Sequence, residues 1–360
     1  MAEKGYKYRV CNRCFTFNHA KYIEYTMSGF TMQQTSFPFV CVIVDDASTD
    51  GEPEVIRRYL SEHFQEPYKT EETEYAHIIC ARHKTNPNCD FVVFLLKYNH
   101  YSIKKPKLPY LTEWTDNAKY HALCEGDDYW TDPLKLQKQV DIMEQNPDLS
   151  LCFCDVTNLN ESTGKGGDRQ GEVYEKSHLK LPADPQRLFY WIIMGKCRLQ
   201  TLSVLYRNER DVIPQNANFL MGDTPKWIRY SQKGSFYYIN EVCGVYRIHE
   251  GSVSHSSSNK VRFQLSMSEM RVFYCEYYNY PVPKMVKQGY NRSLCRYRKL
   301  NGEDAYVRYP LFKMNVLQGF VAQKMIRGAG WANKLAEFCW SIEVKISNLR
   351  LHYNLFTELR

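Results

Sequence analysis

The sequence His121-Ala-Leu-Cys-Glu-Gly-Asp-Asp-Tyr-Trp-Thr-Asp-Pro133 joins a short apolar run to a cluster of carboxylates. Residues 120–124 have the length and composition of a buried strand, and Glu125, Asp127 and Asp128 follow directly. Carboxylates this close repel one another unless a cation or hydrogen-bond donors neutralise them. Mg2+ commonly takes one or two carboxylates together with substrate phosphates. The stretch therefore indicates either a divalent-cation site at a strand end or an ordinary acidic turn.

A helix start follows the carboxylates. Thr131 or Asp132 can cap the helix, and Pro133 suits its first position because proline has no backbone N–H to leave unpaired. The pattern predicts a helix over residues 134–145 that stops near Asn146-Pro147.

A second stretch repeats this order of strand, polar turn and helix. Residues 37–44 are dense in Phe, Val and Ile, which is typical of a strand buried on both faces in a parallel sheet. They run into Asp45-Asp-Ala-Ser-Thr-Asp-Gly51, and a helix is predicted over residues 53–60. The repeat predicts an α/β fold with an open, mostly parallel central sheet flanked by helices, whose ligands bind beyond the carboxyl ends of the strands.

The remaining patterns complete this α/β interpretation. Further strands are predicted at 8–16, 91–96, 149–156, 199–207 and 239–248, helices at 20–32 and 185–194, and polar loops at 69–84, 97–109 and 160–171. A Ser-rich break near residue 258 divides the chain into an α/β domain, 1–255, and a basic, helical C-terminal region, 256–360.

Charge is distributed unevenly over the 360 residues. The net charge is +7, but residues 260–360 carry 17 Lys+Arg against 7 Asp+Glu. This excess indicates either an anionic partner, such as phospholipid headgroups or nucleic acid, or a solvated basic helical face. An apolar stripe at helical spacing would pack on the main domain or lie in a membrane interface; its members are Trp331, Leu335, Phe338, Ile342, Ile346, Leu349 and Tyr353.

The 13 cysteines are predicted to be reduced and buried, because the number is odd and most lie in apolar runs. Cys11 and Cys14 have CxxC spacing, but no second pair completes a zinc set. The N-terminus has no apolar signal region, and no run reaches the 18 or so residues of a membrane span. These features predict a cytoplasmic protein.

Residues 42–51 and 125–139 together resemble the two hallmark blocks of the family 2 glycosyltransferases, and are most similar to the bacterial capsule and polysaccharide branch. The resemblance covers about residues 8–254. It implies the GT-A fold and an inverting transfer of a sugar from a nucleotide-sugar donor.

On the donor side, the resemblance assigns the nucleotide base to two turns. Thr16-Phe17-Asn18 matches the turn that touches the base, with Phe15 where the family usually has proline. Asp45 and Asp46 match the acidic pair that accepts the imide N–H of uracil or thymine. A UDP-sugar is therefore the expected donor, because a carboxylate there disfavours bases without that N–H group.

The resemblance also implies a metal. In the Asp-x-Asp position, Asp127 would ligate Mg2+ or Mn2+, and Glu125 would hold ribose or sugar hydroxyls. His249 matches a position that reaches the metal or the diphosphate, with Arg247 nearby, although a histidine at a strand end is equally often structural. The cation would stabilise the charge that develops on the diphosphate leaving group.

On the acceptor side, Asp223 matches the general base that takes the proton from the acceptor hydroxyl, so that the anomeric configuration inverts. Gln200 and Thr201 resemble an acceptor-side block. Trp130 would line the acceptor or sugar pocket, or it is a core residue. The Gln-x-x-Arg-Trp block of processive members is absent from the sequence, which predicts the transfer of a single sugar.

The sequence thus predicts a metal-dependent, non-processive glycosyltransferase that acts on a growing glycan or a lipid-linked acceptor. The basic C-terminal region would contact the inner face of a bacterial membrane, and no nucleic-acid-binding module is readable in it. The alternative is a sugar-nucleotide or carbohydrate-binding protein without catalysis, against which the presence of both Asp127 and Asp223 argues.

Overall fold

The structure is a computed structural model that forms two compact units. The first unit comprises Met1–Val212 and Lys226–His249, and the second comprises Ile213–Pro225 and Glu250–Arg360. The structure describes residues 5–169, 179–181, 184–197, 199–209, 211–249, 260–302 and 305–312.

Twelve strands of the first unit form one sheet. They are β1 (Tyr8–Thr16), β2 (Phe39–Asp45), β3 (Lys69–Glu72), β4 (Ala76–Arg82), β5 (Cys89–Leu96), β6 (Ala118–Leu123), β7 (Tyr129–Trp130), β8 (Leu149–Asn160), β9 (Lys165–Arg169), β10 (Leu179–Lys180), β11 (Val204–Arg207) and β12 (Ser235–Ile248). The helices are α1 (Ile23–Thr31), α2 (Glu52–His63), α3 (Thr112–Thr115), α4 (Lys135–Gln145), α5 (Pro185–Ile193), α6 (Asp223–Tyr230), α7 (Lys260–Tyr277) and α8 (Lys284–Asn301).

The strands run in the order β10-β12-β8-β11-β6-β1-β2-β5-β4-β3, with β7 paired to β12 and β9 to β8. At the centre, β6, β1, β2 and β5 are parallel. Antiparallel pairing joins β4 and β3 on one side and β11 on the other, so the sheet is mixed rather than mostly parallel. The predicted α/β class, a large central sheet flanked by helices, is confirmed.

The centre of the sheet is covered on both faces. Along β1, Val10 and Cys14 join one apolar cluster with residues of α1, α2 and α4, whereas Cys11 joins a second cluster with Trp114 of α3. Successive side chains of a strand point to opposite faces, so this alternation requires cover on both sides. All of β2 is buried for the same reason, as its apolar run predicts.

The sequence missed two hairpins. Residues 69–84 and 160–171 were predicted as loops, but β3 pairs with β4, and β9 pairs with β8. The side chains of β3 are all exposed, so this edge strand carries no hydrophobic signal. The apolar stripe at residues 331–353 lies outside the described part of the chain.

A disulfide joins Cys154 of β8 to Cys243 of β12. The prediction of reduced cysteines is therefore wrong for this pair. Spacing could not reveal it, because the two cysteines are 89 positions apart and meet only through the parallel pairing of their strands. The other ten cysteines in the described ranges are free and buried.

The second unit contains α7 and α8 and the segment that precedes α6. Arg308 lies over the rings of Phe219 and Phe273, at 4.7 and 5.3 Å from their centroids, and donates to the carbonyl of Asn216 at 2.9 Å. This cation–π contact ties residues 216–219 to α7. In the part of the chain that the structure describes, no helix combines the length and apolarity needed to cross a membrane.

Candidate functional site

The candidate site lies where the parallel strands β1, β2 and β6 end at one edge of the sheet. The turn after β1 starts at Thr16, the turn after β2 starts at Asp45, and the acidic turn follows Leu123 at the end of β6. The N–H of Gly126 donates to the carbonyl of Phe15 at 3.2 Å, and the N–H of Asp46 donates to that of Thr16 at 3.0 Å. The three predicted motif blocks are therefore hydrogen-bonded neighbours.

His19, Asp127 and His249 bring together three groups that can ligate a metal. Asp127 Oδ2 lies 3.0 Å from His249 Nε2 and 4.0 Å from His19 Nε2. One ligand atom from each residue lies within 4.8 Å of the other two. Within the described ranges, this is the one such group of three. The sequence predicted Asp127 and His249 as ligands, and it missed His19.

The protonation of this cluster suits a bound cation. Burial favours a higher pKa for Asp127, but the hydrogen bond with His249 and the charge of His19 outweigh it, so the pKa is lowered. Burial lowers the pKa of His19, which leaves a neutral imidazole at pH 7. A carboxylate and a neutral imidazole are forms that bind metal ions, so Asp127 and His19 fit a divalent cation.

Arg247 donates hydrogen bonds to the acidic turn. Its N–H donates to Asp128 Oδ1 at 2.8 Å, and its Nη1 donates to the carbonyl of Asp127 at 3.1 Å. Its Nε lies 3.1 Å from Glu161 Oε1. The guanidinium carbon also lies within 5 Å of the ring centroids of Tyr22, Tyr25 and Tyr129. With 4% exposure, Arg247 is committed to protein groups, which favours a positioning role over the predicted diphosphate contact.

Gly126 allows the acidic turn to approach the turn after β1. A Cβ atom at this position would lie 2.0 Å from Thr16 Oγ1 and 2.5 Å from Thr16 Cβ, which no side chain can tolerate. The hydroxyl of Thr26 donates to the carbonyls of Gly126 and Asp128 at 3.0 and 2.6 Å. The turn that carries Asp127 is thereby fixed to β1 and α1.

Glu52 connects the turns after β1 and β2, and the sequence analysis missed it. Its Oε1 accepts from the hydroxyl of Thr16, and its Oε2 accepts from the N–H of His19 at 2.8 Å and the hydroxyl of Ser48 at 2.9 Å. Burial raises the pKa of Glu52 to about 7. The sequence offered only a weak signal, since an acidic residue is common in the first turn of any helix.

The turn of Thr16, Phe17 and Asn18 is joined to the turn after β2. Asn18 adopts a left-handed conformation with φ of 56°, its N–H donates to Ser48 Oγ at 2.8 Å, and its Oδ1 accepts from the N–H of Thr49 at 2.9 Å. Thr16 is buried, whereas the Phe17 ring is 43% exposed. Phe17 is therefore the residue of this turn that presents an apolar face to a ligand.

Asp46 is committed to the segment between β5 and α3. Its carboxylate accepts from the N–H groups of His100 and Tyr101 at 2.7 and 3.1 Å, and it pairs with Lys107 Nζ at 2.7 Å. Three donors leave this buried carboxylate little capacity for a ligand. Its geometry favours the ordering of residues 99–107 over the predicted contact with a base.

Asp45 differs from its neighbour. Its Oδ2 accepts from the N–H of Ser48 at 3.2 Å, but its buried Oδ1 has no hydrogen-bond partner among the described residues. An unpaired buried acceptor is costly. A cavity of about 530 Å³ adjoins it, lined also by Ala47, Arg57 and Leu95. Asp45 thus has an oxygen available to accept a hydrogen bond from a ligand.

The residues predicted on the sugar and acceptor side lie in different surroundings. Glu125 is half-buried in the acidic turn. Trp130 is 1% exposed, and its indole N–H donates to the carbonyl of Leu202 at 2.9 Å, which favours the core interpretation. Gln200 precedes a 3₁₀ turn, Thr201–Ser203, and both residues of the Gln200-Thr201 pair are half-buried.

Asp223 is the first residue of α6 and belongs to the second unit. Its side chain is half-buried, and its Oδ1 accepts from the N–H of Thr224 at 2.6 Å. The other carboxylate oxygen, Oδ2, takes no part in this hydrogen bond.

No family model matches the chain. The uncharacterized proteins Mb1547 of Mycobacterium bovis and Rv1520 of Mycobacterium tuberculosis are each 29% identical to it over 242 residues, which is 67% of this chain and 59% of theirs. The chain therefore spans about three-fifths of the length of the curated relatives it matches.

Two solved structures show a remote likeness. Staphylococcus aureus TarS 1-349 in complex with UDP is 12% identical with a TM-score of 0.44, over 88% of this chain and 80% of that one. The mannosyltransferase PcManGT from Pyrobaculum calidifontis, in complex with GDP-Man and Mn2+, is 12% identical with a TM-score of 0.45, over 96% and 88%. At such TM-scores the likeness carries no argument about function.

Proposed function

We propose that the protein transfers a sugar from a nucleoside-diphosphate donor to an acceptor hydroxyl, with the help of a divalent cation. The convergence of His19, Asp127 and His249 carries the proposal. These residues come from three separate stretches of the chain, and they meet beside the turn assigned to the base. Asp127 lies in residues 125–139, one of the two blocks that resemble those of family 2 glycosyltransferases.

The donor set favours Mn2+ over Mg2+. Mg2+ prefers all-oxygen coordination with several retained waters, whereas two imidazoles and one carboxylate suit Mn2+ better. When bound there, the cation would supply positive charge to the diphosphate as the anomeric C–O bond breaks. His19, Asp127 and His249 would hold it, and Arg247 would keep Asp127 and Asp128 in place.

Asp45 supports a uridine donor. A uracil imide N–H would satisfy its unpaired Oδ1, and the exposed ring of Phe17 offers a stacking surface in the neighbouring turn. A base that lacks this N–H group would leave the acceptor buried and unpaired, which weakens binding. Asp46 would contribute indirectly, through the segment that it orders.

Asp223 is proposed as the general base that takes the proton from the acceptor hydroxyl, so that attack opposite the diphosphate inverts the anomeric centre. The acceptor would be a growing glycan or a lipid-linked sugar, extended by one sugar in each reaction. The basic C-terminal region would hold the protein at the inner face of the membrane by its charge.

The donor assignment is tested by thermal shift with UDP-sugars, with and without Mn2+. Binding to the folded form alone raises the unfolding midpoint by mass action. We expect a shift that requires Mn2+, that is lost in Asp127→Asn and His19→Gln, and that is retained in His77→Gln, whose imidazole pairs with Glu72 at 2.8 Å. UDP-sugars that give no metal-dependent shift would contradict the assignment.

Catalysis is tested separately by UDP release. Asp223→Asn should bind the donor as the wild type does but lose turnover by about 10²- to 10⁴-fold, the usual contribution of a general base. Equal turnover in both proteins would exclude this role. Donor binding without UDP release in the wild type, with any glycan acceptor, would favour the binding-protein alternative.

A further inference from the structure

Two basic side chains of the first unit lie at the same tyrosine hydroxyl. Arg13 of β1 is 7% exposed, and its Nη2 donates to the hydroxyl of Tyr206 on β11. Lys226 Nζ lies 3.2 Å from the same oxygen and 4.9 Å from the centroid of the Tyr206 ring. We call Arg13, Tyr206 and Lys226 the Tyr206 cluster.

The cluster contains no anion. Among the residues that the structure describes, neither Arg13 nor Lys226 has a carboxylate oxygen within 4.0 Å. Asp211 is held by Arg229, with N–O distances of 2.6 and 2.7 Å. Burying a cation without a counter-ion is strongly unfavourable, so the charge of Arg13 calls for a partner that the described residues do not supply.

Two buried donors and one histidine nitrogen, whose donor or acceptor role depends on the tautomer, lie without partners near the same ring. The rings of His121 and Trp227 lie 5.4 and 5.7 Å from that of Tyr206. Arg13 Nε, Trp227 Nε1 and His121 Nδ1 are buried and have no hydrogen-bond partner among the described residues. Burial, together with the charge of Arg13, lowers the pKa of His121 to about 3, so that this ring adds no further charge. Around Tyr206, donors outnumber acceptors.

The position of Arg13 in the sequence makes this arrangement unusual. It interrupts the apolar part of a central strand and pairs in register with Leu123 of β6. It precedes Thr16 by three residues, and Lys226 follows Asp223 by three residues in α6. Both cations are thus close in the chain to residues of the proposed reaction. Lys226 is only half-buried, so part of its side chain is in contact with solvent.

We propose that the Tyr206 cluster binds an oxyanion, the carboxylate or phosphate group of an acidic acceptor sugar. A guanidinium and an ammonium group would share the charge, and the unpaired N–H donors would complete the hydrogen bonds of the oxyanion. The assignment to the acceptor rests on the proposed glycosyl transfer, whereas oxyanion binding itself does not.

The binding test uses the full chain without donor or metal. Inorganic phosphate and glucuronate are titrated by thermal shift at ionic strength held constant with NaCl, and glucose serves as the neutral sugar. We expect a saturable rise in the midpoint with at least one anion and none with glucose. The anion that binds more tightly, phosphate or glucuronate, indicates whether the ligand group is a phosphate or a carboxylate. No rise with either anion would overturn the proposal.

Paired variants locate the site. Lys226→Met should weaken anion binding about tenfold or more, the contribution of one charge-assisted hydrogen bond. Lys233→Met is the matched control, because Lys233 Nζ also lies over a tyrosine ring, 4.6 Å from the centroid of Tyr230, but has Glu209 at 3.9 Å. Binding that is unchanged in Lys226→Met, or equally weakened in both variants, would place the anion elsewhere and overturn the proposal.

Arg13→Met provides a second readout. Removing an uncompensated buried charge should raise the midpoint without anion and abolish the response to it. A lower midpoint with an unchanged anion response would show that Arg13 is only structural and would overturn the proposal. If this variant does not fold, the comparison of Lys226→Met with Lys233→Met decides, because Lys226 is only half-buried and its replacement should be tolerated. Because no readout involves turnover, anion binding and glycosyl transfer can fail independently.

Discussion

At the scale of single residues, Gly126 is the position where the candidate site tolerates least change. Gly126→Ala places a methyl group within 2.5 Å of Thr16 Cβ, so one of the two turns must shift. We expect a destabilisation of about 1–3 kcal/mol, as for overpacked cores, and a loss of Mn2+-dependent donor binding. Chemical denaturation and thermal shift measure these two effects.

Gly289 provides the matched control for Gly126. It lies inside α8 with nothing within 4 Å of an added Cβ. Gly289→Ala should therefore stabilise the protein by up to about 1 kcal/mol through helix propensity and leave donor binding unchanged. Equal stability of Gly126→Ala and the wild type would contradict the close approach of the two turns.

Glu52 makes stability depend on pH. Because the pKa of Glu52 is raised to about 7 in the folded state, the folded protein binds more protons than the unfolded chain between pH 4.5 and 7. The contribution of Glu52 to the free energy of unfolding is therefore largest below pH 4.5 and falls as pH rises to 7, with a slope of up to about 1.4 kcal/mol per pH unit. Glu52→Gln should remove this component, as urea denaturation across the range would show. Parallel pH profiles for both proteins would exclude it.

The residues of the site were only partly predictable. Asp127 and His249 were accessible from the sequence because each stands in a motif block. His19 and Glu52 carry no local pattern, and their roles arise only when the turns after β1 and β2 come together. Nothing in the sequence indicated that Asp46 and Arg247 bind protein groups, because their partners are distant in the chain. Lys107 pairs with Asp46, and Tyr22, Tyr25 and Tyr129 surround the guanidinium of Arg247.

At the scale of elements, α4 begins with a buried lysine. Lys135 is 1% exposed, its Nζ donates to Gln139 Oε1 at 2.8 Å, and it lies 4.3 Å from the centroid of Trp130. Burial lowers the pKa of Lys135 to about 7. The unfolded chain therefore binds more protons between pH 7 and 10.5, and the free energy of unfolding should rise with pH in this window.

Lys135→Met isolates this effect. The variant should be more stable than the wild type at pH 7, because methionine replaces a buried amine with little change in length. The difference should shrink as pH rises towards 10, by up to about 1.4 kcal/mol per unit. Denaturation curves at four pH values would measure it. A pH-independent difference between the two proteins would rule out the lowered pKa.

The disulfide between β8 and β12 predicts a dependence on reductant. Removing a native disulfide commonly costs about 2–5 kcal/mol. Cys243→Ser should therefore unfold at a lower midpoint than the oxidised wild type and should not respond to reductant. Cys275→Ser, at a free buried cysteine of α7, is the control that keeps its response. If all thiols of the denatured, unreduced protein can be titrated, the disulfide is absent.

Elements were predicted well where they are buried. The apolar runs of β2 and β5 and the helix α4 lie within a few residues of their predicted bounds, because burial leaves a hydrophobic pattern. The predicted cap at Thr131 or Asp132 is wrong, because Leu134 is the N-cap residue of α4 and no side chain caps the helix. The exposed edge strand β3 leaves no such pattern. Strand β4 was missed although its residues 78–81 are apolar and buried.

At the scale of the whole molecule, charge is segregated along the chain. Helix α8 carries six basic and no acidic residues. We expect cosedimentation with vesicles that contain anionic lipid and weaker binding at high salt, since each basic residue near such a surface contributes about 1 kcal/mol. Replacing Lys287 and Lys299 by glutamate should weaken binding by at least roughly tenfold.

A control double variant, with two charge reversals in the first unit, shows whether the effect is specific to the C-terminal region. Lys7 and Lys104 are exposed lysines of the first unit, so their replacement by glutamate changes the net charge by the same amount. Equal losses in the two double variants would show that net charge alone, rather than the C-terminal region, drives the association.

The division of the chain into domains 1–255 and 256–360 stays a prediction. The composition break near residue 258 lies close to residue 250, where the second unit resumes. The sequence did not show that residues 213–225, which include Asp223, belong with that unit. Contacts such as that of Phe219 with Phe273 on α7 decide this, and they leave no local pattern.

The proximity of His19 and His249 in the folded protein also constrains the order of folding steps. One histidine is near the start of the chain and the other close to residue 250, so the site has high contact order and exists only after long loops have closed. Mn2+ uptake during refolding should therefore lag behind the recovery of helical circular dichroism. A pulse of Mn2+ would then report the last step of refolding. A truncated chain that ends before β12 lacks His249 and should not take up the ion.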